Sequence, residues 1–147
     1  MTTVASINLV LPSQLSYVDL AHTTAEKLAE AAGFDGDEAL NVGLAVRETV
    51  INAMMHGNGG DPTLKVKIKL EHGAKGLEIS VRDEGPGFDP HETPDPISDN
   101  NLLNTSGRGL LLVRAFVDDV SFNRTQQGME ITLQKHRPPE TTVDPAA

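Results

Sequence analysis

The run from Leu40 to His56 constrains the fold most, because its apolar residues surround a helix on nearly all sides. Such a helix must be covered by other elements. It nevertheless carries Glu48 and Asn52, which lie four residues apart and therefore share one helical face. A buried carboxylate and a buried amide need polar partners. A ligand with a metal ion would supply them, whereas an ion pair of Glu48 with Arg47 or a lysine is the simpler alternative.

The other periodic segments predict a chain that alternates between helices and strands. A helix capped by Ser13 is expected to run to about Ala32 and to end at Gly33, and the apolar helix is expected to be capped by Asp35 or Asp37. A further helix is predicted at 109–117. Alternation of apolar and polar residues predicts strands at 7–11, 63–71, 77–81, 118–125 and 129–135.

Length and composition exclude several classes of function. A chain of 147 residues suits one domain, predicted at 1–136, and the proline-rich tail 137–147 is expected to be disordered. With 12 basic and 21 acidic residues the net charge is −9, which disfavours direct binding to nucleic acid. The lack of cysteine excludes a disulfide framework and a catalytic thiol. No apolar run approaches the ~20 residues that span a bilayer, and no signal peptide is visible, so we expect a cytoplasmic protein without membrane contact.

A second polar motif, Asp83-Glu84-Gly85-Pro86-Gly87, follows a strand-like run. A carboxylate at the floor of an apolar slot can accept a hydrogen bond from the amino group of adenine, which guanine lacks at that position. Gly85 and Gly87 would let the backbone approach the base without a Cβ clash. Glu84 is expected to face solvent. The alternative is an Asx turn, in which Asp83 bonds only to its own backbone.

A third motif, Ser106-Gly107-Arg108-Gly109, opens the predicted helix at 109–117. The free N–H groups at a helix N-terminus suit phosphates, and Arg108 or Arg114 would add positive charge. The alternative is a flexible hinge before an ordinary helix. The segment from Gly85 to about Ser106 has no periodicity, and we interpret this long loop as a lid.

With these two further motifs, the polar residues of the apolar helix can be given specific chemical roles. Magnesium takes oxygen ligands and often only one or two from protein, a role that suits the side-chain oxygen of Asn52. Glu48 could deprotonate or orient an attacking hydroxyl group. His56 is interpreted mainly as a structural residue at the Gly57 turn, with a phosphate contact as the alternative. Together the three motifs predict a pocket for a purine nucleotide and its magnesium ion.

At these residues the chain resembles the GHKL (Bergerat-fold) ATPases, and within them the anti-sigma factor serine kinases of the RsbW/SpoIIAB group. The resemblance extends over about residues 7–136 and rests on the order of its motifs. These are the helix box 44–53 with His56-Gly57, the segment 83–90, and the stretches Asp95-Pro96, 101–103, 106–110 and 117–120.

The resemblance implies a fold and a set of roles. The fold would be α+β, a two-layer sandwich with a mixed, mostly antiparallel sheet covered by helices on one face. Glu48 would be the general base toward a protein serine or threonine, Asn52 would hold Mg²⁺, and Asp83 would bind the adenine of ATP. The remaining nucleotide-binding residues would be Gly85, Gly87, Ser106, Gly107, Arg108, Gly109 and Leu110.

The resemblance also implies partners. They would be a STAS-domain antagonist, phosphorylated by this kinase, and a sigma factor or other regulator that it sequesters. Relatives are often homodimers. One departure is Gly128-Met129, because many relatives have Gly-Thr and the threonine supports the adenine-binding aspartate. Met129 has no hydroxyl group for this bond, which favours, as the alternative function, a non-catalytic ATP-gated module for partner switching. A split histidine kinase is disfavoured, because that group usually has Asn where this helix box has Glu48.

Overall fold

The computed structural model describes residues 3–85 and 109–137. Within these residues the chain forms five strands: β1 (Thr3–Pro12), β2 (Lys65–Gly73), β3 (Gly76–Arg82), β4 (Asp119–Thr125) and β5 (Gly128–His136). The described helices are α1 (Val18–Ala31), α2 (Gly36–Asn52) and α3 (Gly109–Phe116). A 3₁₀ turn (Leu15–Tyr17) precedes α1, and a π-helical turn (Ala53–Gly57) extends α2. None of the described helices is long and apolar enough to cross a bilayer.

The strands form one sheet in the order β1-β2-β3-β5-β4. Every pairing between described strands is antiparallel, so the mixed sheet expected from the resemblance is wholly antiparallel in this part of the chain. The inner face carries Val66, Ile68, Leu70, Ile79, Val81 and Leu133, which are buried against the helices. The opposite face is polar, because the strands alternate with period two. The α+β fold with helices on one face of the sheet is confirmed.

Helix α1 packs through Val18, Ala21, Ala25, Leu28 and Ala29, whose spacing marks one helical face. It ends as predicted at Gly33, which has φ +98° and donates its N–H to Glu30 O, while Phe34 donates to Ala29 O. These two bonds form a Schellman motif. The predicted cap at Ser13 is wrong. Its hydroxyl donates instead to the carbonyl of Leu64, 51 residues away, at 2.8 Å.

Helix α2 is capped by Asp35, one of the two predicted residues, because its carboxylate accepts the Glu38 N–H at 2.8 Å. The helix crosses α1 closely at Gly43, where an added Cβ would lie 3.0 Å from the ring of His22. The α-helix itself ends at Asn52. Beyond it, the N–H of Asn58 donates to Ala53 O across a π-helical turn. The α2 helix is therefore shorter than predicted, and its last predicted turn is wound more widely.

Candidate functional site

Glu48 and Asn52 lie one turn apart in the last part of α2, a helix that packs against α3. Glu48 Oε2 and Asn52 Oδ1 are both buried, and neither has a hydrogen-bond partner among the residues that the structure describes. The predicted alternative of a Glu48–Arg47 ion pair is wrong, because Arg47 pairs with Asp19 of α1. An unpaired buried acceptor is costly. Two such oxygen atoms on one helical face are therefore a feature that a ligand, but not the packing alone, explains.

Asp83 lies at the end of β3, beside the first residues of β5, and is 5% exposed. Its Oδ1 atom accepts the N–H of Met129 at 3.1 Å and the N–H of Gly85 at 3.2 Å. The Gly85 bond is the Asx turn that was the alternative interpretation of this motif. It does not account for the residue, because the carboxylate is buried and is also held by β5. Among the described residues, no hydrogen bond uses Oδ2 of Asp83.

Burial of Asp83 changes its acidity. It raises the pKa of the carboxyl above its ordinary value of 3.8, and the N–H groups of Met129 and Gly85 oppose this shift because they stabilise the charged form. The departure at Met129 therefore leaves Oδ1 with a donor, since the main chain supplies it. The side-chain hydroxyl expected at this position from the resemblance is not needed for this contact.

Three glycines make room for the Asp83 carboxylate and its loop. An added Cβ at Gly57 would lie 2.0 Å from Asp83 Oδ2, and one at Gly128 would lie 2.1 Å from Asp83 O. An added Cβ at Gly85 would lie 1.6 Å from the carbonyl oxygen of Gly57. Gly57 ends the π-helical turn that follows Asn52. The predicted adenine residue is thus packed directly against the end of the helix that carries Glu48 and Asn52.

His56 lies in the π-helical turn that follows Asn52, and its side chain is exposed. Partial burial lowers the pKa of His56 below 6.5, so the ring is mostly neutral at neutral pH. Its predicted structural role and the alternative phosphate contact both stay predictions.

Glu84 was expected to face solvent, and this expectation is wrong. Its side chain is half-buried, and Oε1 accepts the N–H of Lys65 at 2.5 Å. Its own N–H donates to Oδ1 of Asn58 at 2.8 Å. Asn58 is 4% exposed and bonded to several segments. Its place in a Gly-Asn-Gly-Gly run gave no signal of burial.

The third motif is described only from Gly109 onward. Gly109 and Leu110 are buried at the start of α3, which packs against α2. The start of α3 thus lies on the same layer as Glu48 and Asn52. Gly87, Ser106, Gly107 and Arg108, the predicted lid and the tail 138–147 lie outside the described residues.

The described residues fit a nucleotide with its magnesium ion. A cation that prefers oxygen ligands suits the unpaired Asn52 Oδ1. The glycines around Asp83 let the main chain pack directly against its carboxylate, where any larger side chain would clash. The Asp83 carboxylate is buried and is held in a fixed orientation by two main-chain donors on one oxygen.

Comparison with known proteins agrees with this arrangement. Residues 11–135 match the family described as the histidine kinase-like ATPase domain. The serine-protein kinase RsbW of Oceanobacillus iheyensis is 27% identical over 139 residues, covering 88% of this chain and 85% of that protein. The serine-protein kinase RsbW of Bacillus subtilis is 28% identical over 142 residues, covering 88% and 84%.

Solved structures share the fold. The RsbU and RsbW domains of Rv1364c from Mycobacterium tuberculosis match with a TM-score of 0.62 and 18% identity, over 91% of this chain. This chain spans 33% of that longer protein. The catalytic domain of the histidine kinase ThkA matches with a TM-score of 0.53 and 15% identity, over 90% of this chain and 95% of that domain. The resemblance found in the motifs is confirmed: the chain belongs to the family of histidine kinase-like ATPase domains.

Proposed function

We propose that the protein is an ATP-dependent protein serine/threonine kinase of the anti-sigma factor type. It phosphorylates a STAS-domain antagonist and sequesters a sigma factor or a similar regulator. The observation that carries the proposal is the pair of unpaired buried oxygens, Glu48 Oε2 and Asn52 Oδ1, on the helix whose end packs against Asp83. The relatives named serine-protein kinase RsbW support the same activity, since they match 88% of this chain.

Each residue has one task in this proposal. The Asp83 carboxylate accepts a hydrogen bond from the adenine amino group and so selects ATP. Asn52 Oδ1 would hold Mg²⁺, which, when bound, neutralises charge on the phosphates. The acceptor hydroxyl oxygen bonds to the γ-phosphorus while the bond to the β–γ bridging oxygen breaks, and Glu48 takes the hydroxyl proton. Glu48 suits this task because no donor within 3–85 and 109–137 engages its Oε2 atom.

The exchange Glu48→Gln tests the catalytic role. We expect transfer of phosphate from ATP to a STAS-domain protein of the same genome to fall by about 10²–10⁴-fold, because the amide cannot accept the proton. ADP affinity should stay unchanged, since Asp83 and Asn52 remain. The measurements are transfer of labelled phosphate and calorimetric titration with ADP and Mg²⁺.

The control is Glu38→Gln, the same exchange in the first turn of the same helix. It should leave transfer at the wild-type rate. If Glu48→Gln transferred phosphate as fast as the wild type, the role of Glu48 would be wrong. If the wild type bound ATP and switched a partner but transferred no phosphate to any STAS-domain protein of its genome, the non-catalytic alternative would be correct.

A further inference from the structure

Asn58 is a buried amide that joins three segments of the chain. Its Nδ2 group donates to Ser13 Oγ at 2.9 Å and to the carbonyl oxygen of Lys65 at 3.0 Å, while Oδ1 accepts the N–H of Glu84 at 2.8 Å. Both amide protons are used. The opposite orientation of the amide would place its oxygen against the Lys65 carbonyl and its N–H₂ against the Glu84 N–H. The three partners therefore fix the orientation of the side chain.

Glu84 makes two hydrogen bonds in this region, one to Asn58 and one to Lys65. Its N–H reaches Asn58, and its Oε1 accepts the N–H of Lys65, the first residue of β2, at 2.5 Å. The residue that follows Asp83 is thus held through its main chain by Asn58 and through its side chain by β2. Hydrogen bonds to a charged group are stronger than those between neutral groups.

With these contacts, the three consecutive main-chain N–H groups of Asp83, Glu84 and Gly85 all have acceptors. The N–H of Asp83 donates to Met129 O at 3.1 Å, that of Glu84 to Asn58 Oδ1, and that of Gly85 to Asp83 Oδ1 at 3.2 Å. Of the three acceptors, only Asn58 is a side chain from a different part of the chain. Its removal would leave the middle N–H group without its acceptor and would free the loop between Asp83 and Gly85.

We propose that Asn58 is a positioning residue for adenine recognition and that, together with Glu84, it holds Asp83 in the orientation in which its carboxylate meets the base. This inference rests on the proposed function, in which Asp83 selects adenine. Asn58 does not touch the nucleotide in this proposal. A hydrogen bond weakens steeply when its angle departs from linear, so a small rotation of Asp83 would reduce adenine binding. Contacts to the ribose and phosphates would stay as they are.

The test compares ADP with inosine diphosphate, which carries a carbonyl group in place of the adenine amino group and keeps the ribose and both phosphates. Affinities are measured by calorimetry with Mg²⁺ on the full-length protein. We expect Asn58→Ala to lower ADP affinity about tenfold, the value of one well-placed hydrogen bond. The affinity for inosine diphosphate should change by less than about twofold, so the ratio of the two affinities falls.

The matched control is Ser13→Ala. It removes the hydroxyl that accepts from Asn58 and donates to Leu64 O, but it leaves the Asn58–Glu84 bond in place. It should keep the wild-type ratio of ADP to inosine diphosphate affinity even if its melting temperature falls. If Asn58→Ala does not fold, Glu84→Ala gives the answer, because it removes only the side-chain contact to Lys65 at a half-buried position. It should lower the ratio in the same direction.

Three results would overturn the proposal. One is a folded Asn58→Ala, or in its place Glu84→Ala, that keeps the wild-type ratio. Another is an equal loss of affinity for both nucleotides, because a general loss of structure weakens all contacts alike. A wild-type protein that binds neither nucleotide would contradict the proposed function and this inference with it. In contrast, if the wild type prefers ADP to inosine diphosphate and the variant keeps the same preference, the result contradicts this inference but not the proposed function.

Discussion

Asp83 and Glu48 both contribute a carboxylate to the candidate site, but the hydrogen bonding of the two groups differs. Among the described residues, two main-chain N–H groups donate to Asp83 Oδ1 and fix its carboxylate, leaving only Oδ2 without a donor, whereas the buried Oε2 of Glu48 has no donor. A carboxylate with a fixed orientation is suited to recognition, because hydrogen bonds are directional. A carboxylate with a free oxygen is suited to receive a proton. The difference in hydrogen bonding thus matches the two roles that the proposed function gives to these residues.

The raised pKa of Asp83 predicts how its removal affects stability. Because the folded state holds this proton more tightly than the unfolded chain, the group stabilises the fold below pH 3.8, and this contribution is lost as the pH rises through the folded-state pKa. Asparagine keeps an acceptor and never ionises. We therefore expect Asp83→Asn to have a higher free energy of unfolding than the wild type at about pH 7, with a smaller difference at about pH 3. Urea denaturation at both pH values measures this.

The control for this prediction is Asp61→Asn, which should show the opposite pH dependence. Hydrogen bonds from Thr63 lower the pKa of Asp61, so its contribution is present above pH 3.8 and is lost as the pH falls. The variant should be less stable than the wild type near neutral pH and equal to it in acid. A difference between Asp83→Asn and the wild type that did not change with pH would contradict the assignment of burial as the cause.

We expect a single added methyl group at Gly128 to have a large effect on stability and on ADP binding. Its φ of +152° is unfavourable for other residues, and an added Cβ would lie 2.1 Å from Asp83 O. We expect Gly128→Ala to lower the free energy of unfolding by at least about 2 kcal/mol and to weaken ADP binding, because the strand that holds Asp83 must shift. Gly36→Ala is the control, since nothing lies within 4 Å of its added Cβ. It should leave stability unchanged or raise it by at most about 1 kcal/mol. Equal effects of the two exchanges would contradict the close packing at Asp83.

At the scale of the element, the first turn of α2 is capped and regular, whereas its end is irregular. Asp35 caps its first turn, and the π-helical turn Ala53–Gly57 replaces its last. The π-helical turn brings Gly57 against Asp83 and buries Asn58. Turns of this type are frequently found at functional sites. The same helix therefore carries the two unpaired oxygens and ends in the turn that supports the predicted adenine residue.

The cap of α2 can be tested separately from the site. Asp35→Ala removes the acceptor of the Glu38 N–H, and we expect the free energy of unfolding to fall by about 1 kcal/mol. ADP affinity should not change, because Glu48 and Asn52 lie at the other end of the helix. Asp37→Ala, which removes an acid of the first turn that is not the cap, should cost about 0.3 kcal/mol. Urea denaturation compares the two. An equal loss in both variants would mean that charge rather than capping explains the effect.

At the scale of the whole molecule, the strand order places distant parts of the chain in one site. Asp83 and Met129 are 46 residues apart, and the pairing of β3 with β5 brings them into contact. A ligand that binds only the folded protein stabilises it by mass action. With ADP and Mg²⁺ at a hundred times the dissociation constant, we expect a gain of about 2.7 kcal/mol, or about 8 °C in melting temperature.

Thermal unfolding followed by circular dichroism checks this gain. GDP at the same concentration is the control, because it lacks the amino group that Asp83 is proposed to recognise. A rise of the same size with GDP would contradict the selection of adenine. The absence of any rise with ADP would contradict nucleotide binding itself.

The local pattern of the sequence predicted the elements well. The alternation in β2, the Asp35 cap and the end of α1 at Gly33 all depend on residues that are close in sequence. The same motifs pointed to Glu48, Asn52 and Asp83. Their roles stay predictions, but the structure places all three around the end of α2 and β3.

The features that local patterns missed depend on distant partners. Ser13 has the sequence context of a helix cap, yet its hydroxyl bonds to Leu64. Glu84 was expected in solvent because nothing near it in the sequence indicates the amide of Lys65, 19 residues earlier. Asn58 looks like a turn residue, and its burial follows only from packing between segments. The Gly57–Asp83 contact likewise requires the fold.

The position of β5 near the end of the described chain has a consequence for synthesis. When the ribosome has made the chain only as far as Gln127, Glu48, Asn52 and Asp83 are all present, but the donor from Met129 is not. Until β5 has been added beside β3, Oδ1 of Asp83 lacks this second main-chain donor. In the proposed function, a nascent chain would therefore gain its preference for adenine only after nearly every other residue of the domain has been translated.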